Sequence, residues 1–487
     1  ARQQVARAIG AGDVASQVLF TSGGSESANH AIRGAVELKR QALASAAAAP
    51  QGAPQGGAKP HVITSCVEHP CVLQVCKHLA ERERKCDLTV LPVDALGRVS
   101  VDDLRSALRP ETAVVTIMHA NNETGTVQPI RQLVDAVRDA APRGVDALFH
   151  TDASQTLGKI DVDVAALGVD LLTLAAHKLY APKGVGALFI RDGLVLPKFM
   201  HGAGHESGRR AGTENVLLES GFGEGAAMVT EKGYAVKERR RMASLTQHLL
   251  VSMQKACEGR GGSLRVNGPA LDAGDAARLP NTLNVGFEGL RAGDLIARTE
   301  GKLAFSAASA CHKSDGDAFI SPVIRALGTP RPFALGSIRL SVGKYTSRSE
   351  IDTAARLLST AANELWAEQA AAAEAGMMPT KEQAGAKASN GGEGKTSAPA
   401  ALAAATPVRA AAADATADAS GPFSPLASVM SAQIAALPGT KPAFWQDTYL
   451  FQGSAAVVAT GVDLHPKDQS EMPFVVLDAT VFHPQGG

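Results

Sequence analysis

The sequence predicts an α/β protein: a mostly parallel sheet wrapped by helices, followed by a second, smaller α/β region. Three observations carry that expectation. Short β-branched runs alternate with alanine-rich helical stretches, as in chains of βα units. Several of the runs are apolar nearly throughout, the pattern of strands covered on both faces. Aromatic residues make up only 4% of the chain, which suits a helix-rich α/β protein better than an all-β one.

In chain order, "ARQQVARAIGAG" reads as a helix and "QVLF" as the first strand. Gly23 and Gly24 then turn the chain into a helix with apolar positions at Ala28, Ile32, Ala35 and Val36. The stretch "ASAAAAPQGAPQGGAKP" breaks the pattern and reads as a surface loop insertion. The runs "HVITS", "LTVLPV", "AVVTIMHA", "ALFHTDA", "DLLTLAA" and "GALFI" supply the further strands. From Glu219 to Glu258 the pattern is helical, and its "KERRRM" run reads as a solvated helix face rather than a nucleic-acid patch. Strands "NTLNVGF" and "SIRLSVG" and a helix through Trp366 form the second α/β region. The expected boundaries are 1–235 for the large domain, 236–368 for the small one, 369–440 for a low-complexity flexible linker and 441–487 for a β-rich module.

Lys plus Arg and Asp plus Glu balance at 48 each, so no global basic field is available to hold nucleic acid. No apolar run approaches the ~18 residues of a membrane span, so a soluble protein without membrane partners is expected. The six cysteines, at 66, 71, 76, 86, 257 and 311, form no CxxC pair and match no zinc spacing. A reducing compartment, cytoplasm or organelle matrix, is the expectation, with the compartment itself unread. The chain opens on Ala1 rather than Met, so any targeting signal lies outside it.

The chemistry starts at "TLAAHKLYAPKG", where an apolar run gives out at a His-Lys pair. A lysine shielded by Leu174, Ala175 and Ala176 has its amine pKa lowered by desolvation, and a neutral amine forms Schiff bases with aldehydes. An isolated Lys178 would more simply be a lysine snorkelling from a sheet edge. About 25 residues upstream, "LFHTDASQTLGK" ends a strand on Asp152, followed by Gln155. Pyridoxal phosphate needs a carboxylate against its pyridine nitrogen, and both residues fall at the carboxyl edge of the sheet, where ligands bind in such folds. In "FTSGGSES" a Gly-Gly turn opens a helix whose first N–H groups, with the Ser25 hydroxyl, make a phosphate site.

With "SCVEHPCVL", "MHANNETGTVQPI", "HGAGHESGRRAGTENV", "SAASACHKSDGD" and "SIRLSVGKYTSRSE" added, residues 1 to about 366 resemble the pyridoxal-phosphate-dependent cysteine desulfurases and their relatives the selenocysteine lyases. The resemblance implies the fold-type-I transferase architecture, with a mostly parallel seven-stranded sheet in the large domain. It implies that Lys178 carries the cofactor and moves protons at the substrate α-carbon. Asp152 would pair with the pyridine nitrogen, Gln155 with the ring oxygen, and His69 would stack on the ring. Gly24, Ser25 and His177 would bind the phosphate, with Thr213 reaching in from the second subunit of a homodimer. Asn122 and Arg339 would hold the substrate carboxylate.

Cys311 decides the reaction class. Its surroundings, "FSAASACHKSDGDAF", are small and polar and read as a loop. Ala and Ser offer little to bury a thiol there, and His312 and Lys313 favour the thiolate. The resemblance implies that this cysteine takes the sulfur of L-cysteine as a persulfide, leaving alanine, and passes it to an acceptor protein. Selenocysteine, releasing selenide, is the alternative substrate, and a non-catalytic scaffold coupled to a tRNA-editing module is a second alternative. One departure is Ala175, where many desulfurases have a serine on the phosphate; one lost donor is worth roughly 1 kcal/mol. The resemblance also places the family's first strand ahead of Ala1. Finally, "DTYLFQGSAAVV" and "VVLDATVFHPQGG", with Thr480 and Gln485, resemble the opening of an alanyl-tRNA editing domain. Its metal ligands would follow Gly487, so no metal site is expected here, and tRNA is a partner only if that module is completed.

Overall fold

The computed structural model describes residues 1–12, 14–47, 58–231, 233–307 and 320–375, and short strands between 441 and 480. It divides into two units, Ala1–Ala386 and Lys387–Gly487.

The first unit opens with helix α1 (Arg2–Ala8), strand β1 (Val18–Thr21) and the long helix α2 (Gly24–Ala47). There follow β2 (His61–Ser65), α3 (Pro70–Lys77), β3 (Asp87–Leu91), α4 (Val101–Ala107), β4 (Thr112–Thr116) and α5 (Ile130–Arg138). Strand β5 (Leu148–Asp152), α6 (Val164–Leu167), β6 (Leu171–Ala175) and β7 (Gly186–Ile190) complete a seven-stranded sheet of order β1-β7-β6-β5-β4-β2-β3. Strands β2 to β6 pair in parallel, whereas β7 runs antiparallel to both β6 and β1. The mostly parallel sheet read from the sequence is therefore present, and every residue of β2, β4, β6 and β7 is buried.

Apolar side chains fill both faces of this sheet. On one face Ile117, Phe149 and Leu172 pack with Leu133 and Val137 of α5 and with Val5 and Ile9 from the first segment. On the other, Val62 and Val114 meet Ile32 and Val36 of α2 and Val72 and Val75 of α3. The α2 positions are those the Gly-Gly turn predicted. Gly186 has no room for a side chain: a Cβ there would lie 2.6 Å from the Leu174 carbonyl oxygen and 2.7 Å from the Gly23 carbonyl carbon. That close approach holds the start of α2 against the ends of β6 and β7.

Helices α7 (Val216–Thr230) and α8 (Tyr234–Cys257) lead to a four-stranded sheet. It consists of β8 (Leu264–Val266), β9 (Thr282–Phe287), β10 (Ser306–Ala307) and β11 (Ser337–Ser341), in the order β10-β11-β9-β8, all pairs antiparallel. Helices α9 (Ala292–Thr299), α10 (Pro322–Ala326) and α11 (Arg331–Ala334) connect these strands. Its core joins Leu283, Val285, Phe287 and Ile338 to Leu249 and Met253 of α8 and to Leu358 and Trp366 of α12 (Arg348–Glu374). Helix α12 starts in a Ser347/Glu350 capping box, which satisfies two orphan donors. It runs past 368 because the "AEQAAAAE" segment is a strong helix former.

The "KERRRM" run is not merely a solvated face. Arg239 bridges Asp161 and Asp275 at 2.7 and 3.0 Å, and Arg241 donates to the carbonyls of Gly343, Lys344 and Thr346. Both arginines tie α8 to neighbouring loops. The second unit shows an antiparallel hairpin of β13 (Val457–Leu464) and β14 (Glu471–Leu477), and a short parallel pair of β12 (Lys441–Pro442) with β15 (Ala479–Thr480). Most of the proline-rich insertion, the linker and Gln485 lie outside the described residues. No described helix is long and apolar enough to cross a membrane.

Candidate active site

Because β1, β2, β4, β5 and β6 all point the same way, the segments leaving them gather at one edge of the sheet. There they surround a cavity of about 430 Å³. The turn after β1 contributes Gly24 and Ser25, the segment after β2 contributes His69, and the loop after β4 contributes Asn122. Asp152 and Gln155 come from the end of β5, His177 and Lys178 from the turn after β6, and Arg339 from β11 of the smaller sheet. With Ala175, the departure noted at the phosphate position, ten of the residues singled out in the sequence thus line one cavity.

Thr213 does not. It lines a separate cavity of about 190 Å³ with Glu206, Arg210 and Glu219. Cys311 lies outside the described residues. Sequence reasoning missed Cys71, Met118, Ala120 and Ser154, which also line the larger cavity. Cys71, one of the six cysteines without a motif spacing, puts its Sγ 3.9 Å from Asp152 Oδ2, and burial and the nearby Asp152 and Glu68 carboxylates push its thiol pKa far up. That shift disfavours the thiolate, the form in which a cysteine acts as a nucleophile. The signal that could have found it is its place two residues after His69, in the first turn of a helix that starts at the sheet edge.

Each wall is braced by hydrogen bonds. His69 is the N-cap of α3, and its Nδ1 accepts the Cys71 backbone N–H at 3.2 Å. The neutral ring therefore carries its proton on Nε2. Burial, and then Lys178, lower its pKa against the raising effect of Asp152. Preceding it, Glu68 is buried and accepts from Ser65 Oγ at 2.7 Å and from Met118 N at 2.9 and 3.1 Å, stitching the end of β2 to that of β4. Burial pushes the Glu68 pKa up to about 8.

Asn121 shapes the next loop. Its side-chain amide donates to Val67 O at 2.9 Å and its carbonyl accepts Glu123 N and Thr124 N, each at 2.9 Å. That turn presents Asn122, whose own carbonyl accepts Arg339 Nη1 at 3.0 Å. Asp152 is 8% exposed and accepts Ser154 N at 2.9 Å on Oδ1. Lys178 has its amine pKa lowered by burial and by the Arg339 charge, partly offset by Asp152. A lysine below its ordinary value, a carboxylate, a guanidinium and the start of a 24-residue helix thus face one space.

Comparison with known proteins fixes the family. Residues 1–353 match the aminotransferase class-V model. The chain belongs to that family. The cysteine desulfurase IscS of Dictyoglomus turgidum is 38% identical over 354 residues, covering 72% of this chain and 80% of that protein. A cysteine desulfurase of a Nostoc species is 38% identical over 353 residues, 72% of this chain and 78% of that protein. Among solved structures, a NifS-like protein superposes with a TM-score of 0.60 at 30% identity, covering 75% of this chain and 86% of that one. SspA in complex with cysteine superposes at 0.53 and 31% identity, covering 71% and 87%. Class-V desulfurases use pyridoxal 5′-phosphate bound to a lysine. The donor set here fits that group: an amine of lowered basicity for the aldehyde, a nearly buried carboxylate for the ring nitrogen, and helix-start N–H groups for the phosphate.

Proposed function

We propose that the chain is a pyridoxal-phosphate-dependent cysteine desulfurase working in the cavity around Lys178, converting L-cysteine to L-alanine and holding the sulfur as a persulfide on Cys311. The carrying observation is the convergence of Lys178, Asp152 and Arg339, from β6, β5 and β11, on one cavity. When bound, the cofactor supplies an electron sink for carbanion chemistry at the substrate α-carbon.

The chain's own groups divide the remaining work. Lys178 would carry the cofactor, and its lowered pKa makes the amine, once free, easier to hold neutral for taking and returning the α-proton. Asp152 would hold the ring nitrogen protonated, and Gln155 would donate to the ring oxygen. Gly24, Ser25 and His177 would hold the phosphate. Arg339, oriented by the Asn122 carbonyl, would bind the substrate carboxylate as a bidentate pair, alongside the Asn122 side chain. His69 would stack on the ring, presenting Nε2–H because its Nδ1 accepts the Cys71 N–H. The Cys311 thiolate would attack the sulfur: the substrate carbon–sulfur bond breaks, a sulfur–sulfur bond forms, and the β-carbon is protonated to give alanine. An acceptor protein would then take the persulfide sulfur. A second subunit would bring its Thr213 to this cavity.

The test is product analysis of the cofactor-loaded full chain given L-cysteine, alongside Lys178→Ala and Cys311→Ala variants. Equal alanine and transferable sulfur, absent in both variants, is expected. Undiminished alanine from Lys178→Ala would refute the assignment of that lysine.

A further inference from the structure

The two turns that carry Asp152, Gln155 and Lys178 leave the sheet where its ladder ends. Pairing of β5 with β6 stops at Asp152 opposite Thr173, with one further bond from Ala153 N to Thr173 O. Beyond it, a second lysine ties the two turns together from behind. Lys159 is 8% exposed, and its Nζ donates to the carbonyl of Gln155 at 2.9 Å and to that of Lys178 at 3.2 Å.

Among the described residues, this ammonium meets carbonyl oxygens and no carboxylate. Its own carbonyl accepts Arg239 Nε at 3.2 Å, while the Arg239 charge is paired with Asp161 and Asp275. Burial and the charge of Lys178 pull the Lys159 pKa down to about 8. Burying an ammonium without a carboxylate is unfavourable, and an apolar side chain of similar length would avoid the penalty. A nearly buried ammonium whose partners are the carbonyls of two cavity-lining residues has the positioning of those residues as its simplest explanation.

We propose that Lys159 is a positioning residue, holding the Gln155 and Lys178 carbonyls on one ammonium and thereby fixing the spacing between the turn that contacts the cofactor ring and the lysine that carries the cofactor. The inference rests on the reading of this cavity as the pyridoxal phosphate site. A misplacement of about 1 Å between such groups can cost two orders of magnitude in rate, so a single cross-link behind the site matters. Lys159 is not among the residues lining the cavity, and its action is through the backbone carbonyls it holds.

The test compares Lys159→Met and Lys159→Arg with the unaltered full chain. Thermal unfolding is followed without cofactor, and pyridoxal phosphate affinity by the visible absorbance that appears on titration. Lys159→Met should unfold near the temperature of the unaltered chain, because relief of the buried charge offsets the two carbonyls left without a donor, yet bind the cofactor about tenfold more weakly, about 1.4 kcal/mol. Lys159→Arg, which keeps the charge and the donors, should recover most of that affinity. Unchanged cofactor binding in Lys159→Met overturns the proposal. So does a loss of binding accompanied by a matching fall in unfolding temperature, since a purely structural role would produce it. If the unaltered chain fails to bind pyridoxal phosphate, the reading of the cavity falls first and this inference with it.

Discussion

Glu68 offers a direct test of how the cavity wall is held. Its carboxyl is buried at the junction of β2 and β4, and its pKa is pushed from 4.5 to about 8. A folded value above the unfolded one means that the protonated group contributes stability fully below about pH 4.5, and that the contribution is lost as pH rises through about 8. At about 1.4 kcal/mol for each pH unit between the two values, the loss totals about 5 kcal/mol. Glu68→Gln imitates the protonated form, since its carbonyl can still accept from Met118 N and its amide can donate to Ser65 Oγ. Urea unfolding of both chains from pH 5 to 9 gives the answer. The stability of the unaltered chain should fall relative to the variant by about 1.4 kcal/mol per unit up to pH 8, then level off. Parallel stability curves would refute the reasoning, because they require a Glu68 carboxyl that ionises equally in both states.

Other expectations follow from the same geometry. Arg339→Lys keeps the charge but loses the planar fork, so KM for L-cysteine should rise about tenfold or more in steady-state assays, with a smaller effect on kcat. Asp152→Asn should lower kcat by at least about tenfold, because a neutral amide cannot hold the ring nitrogen protonated; the absorbance and turnover of the loaded variant check it. Gly186→Ala drives a Cβ into the Leu174 carbonyl and the Gly23 backbone, and should destabilise the chain by roughly 1–3 kcal/mol in urea unfolding.

Much of the site was legible because its residues announce themselves where strands end. Asp152 ends one strand and Lys178 follows another, each buried completely or nearly so in the structure, and the parallel order brings such ends together. What stayed hidden depended on side-chain direction. Nothing in its spacing sets Cys71 apart from the other cysteines, and only the helix's entry at the cavity brings its thiol near Asp152. Lys159 was visible in "DASQTLGK", but periodicity carries no sign that a lysine would fold back under two turns. The arginines of "KERRRM" have the composition of a solvated face, and their carbonyl partners, up to 105 residues away in sequence, could not be read locally. Arg339 needed a whole second sheet to reach Asn122.

The most direct measurement of the central claim is intact-mass analysis of the cofactor-loaded chain before and after one equivalent of L-cysteine, with alanine quantified in the same sample. One added sulfur, about 32 Da, localised to Cys311 by peptide mapping, is expected, with alanine formed in equal amount. Alanine without added sulfur on Cys311, or sulfur carried on Cys71 instead, would contradict it.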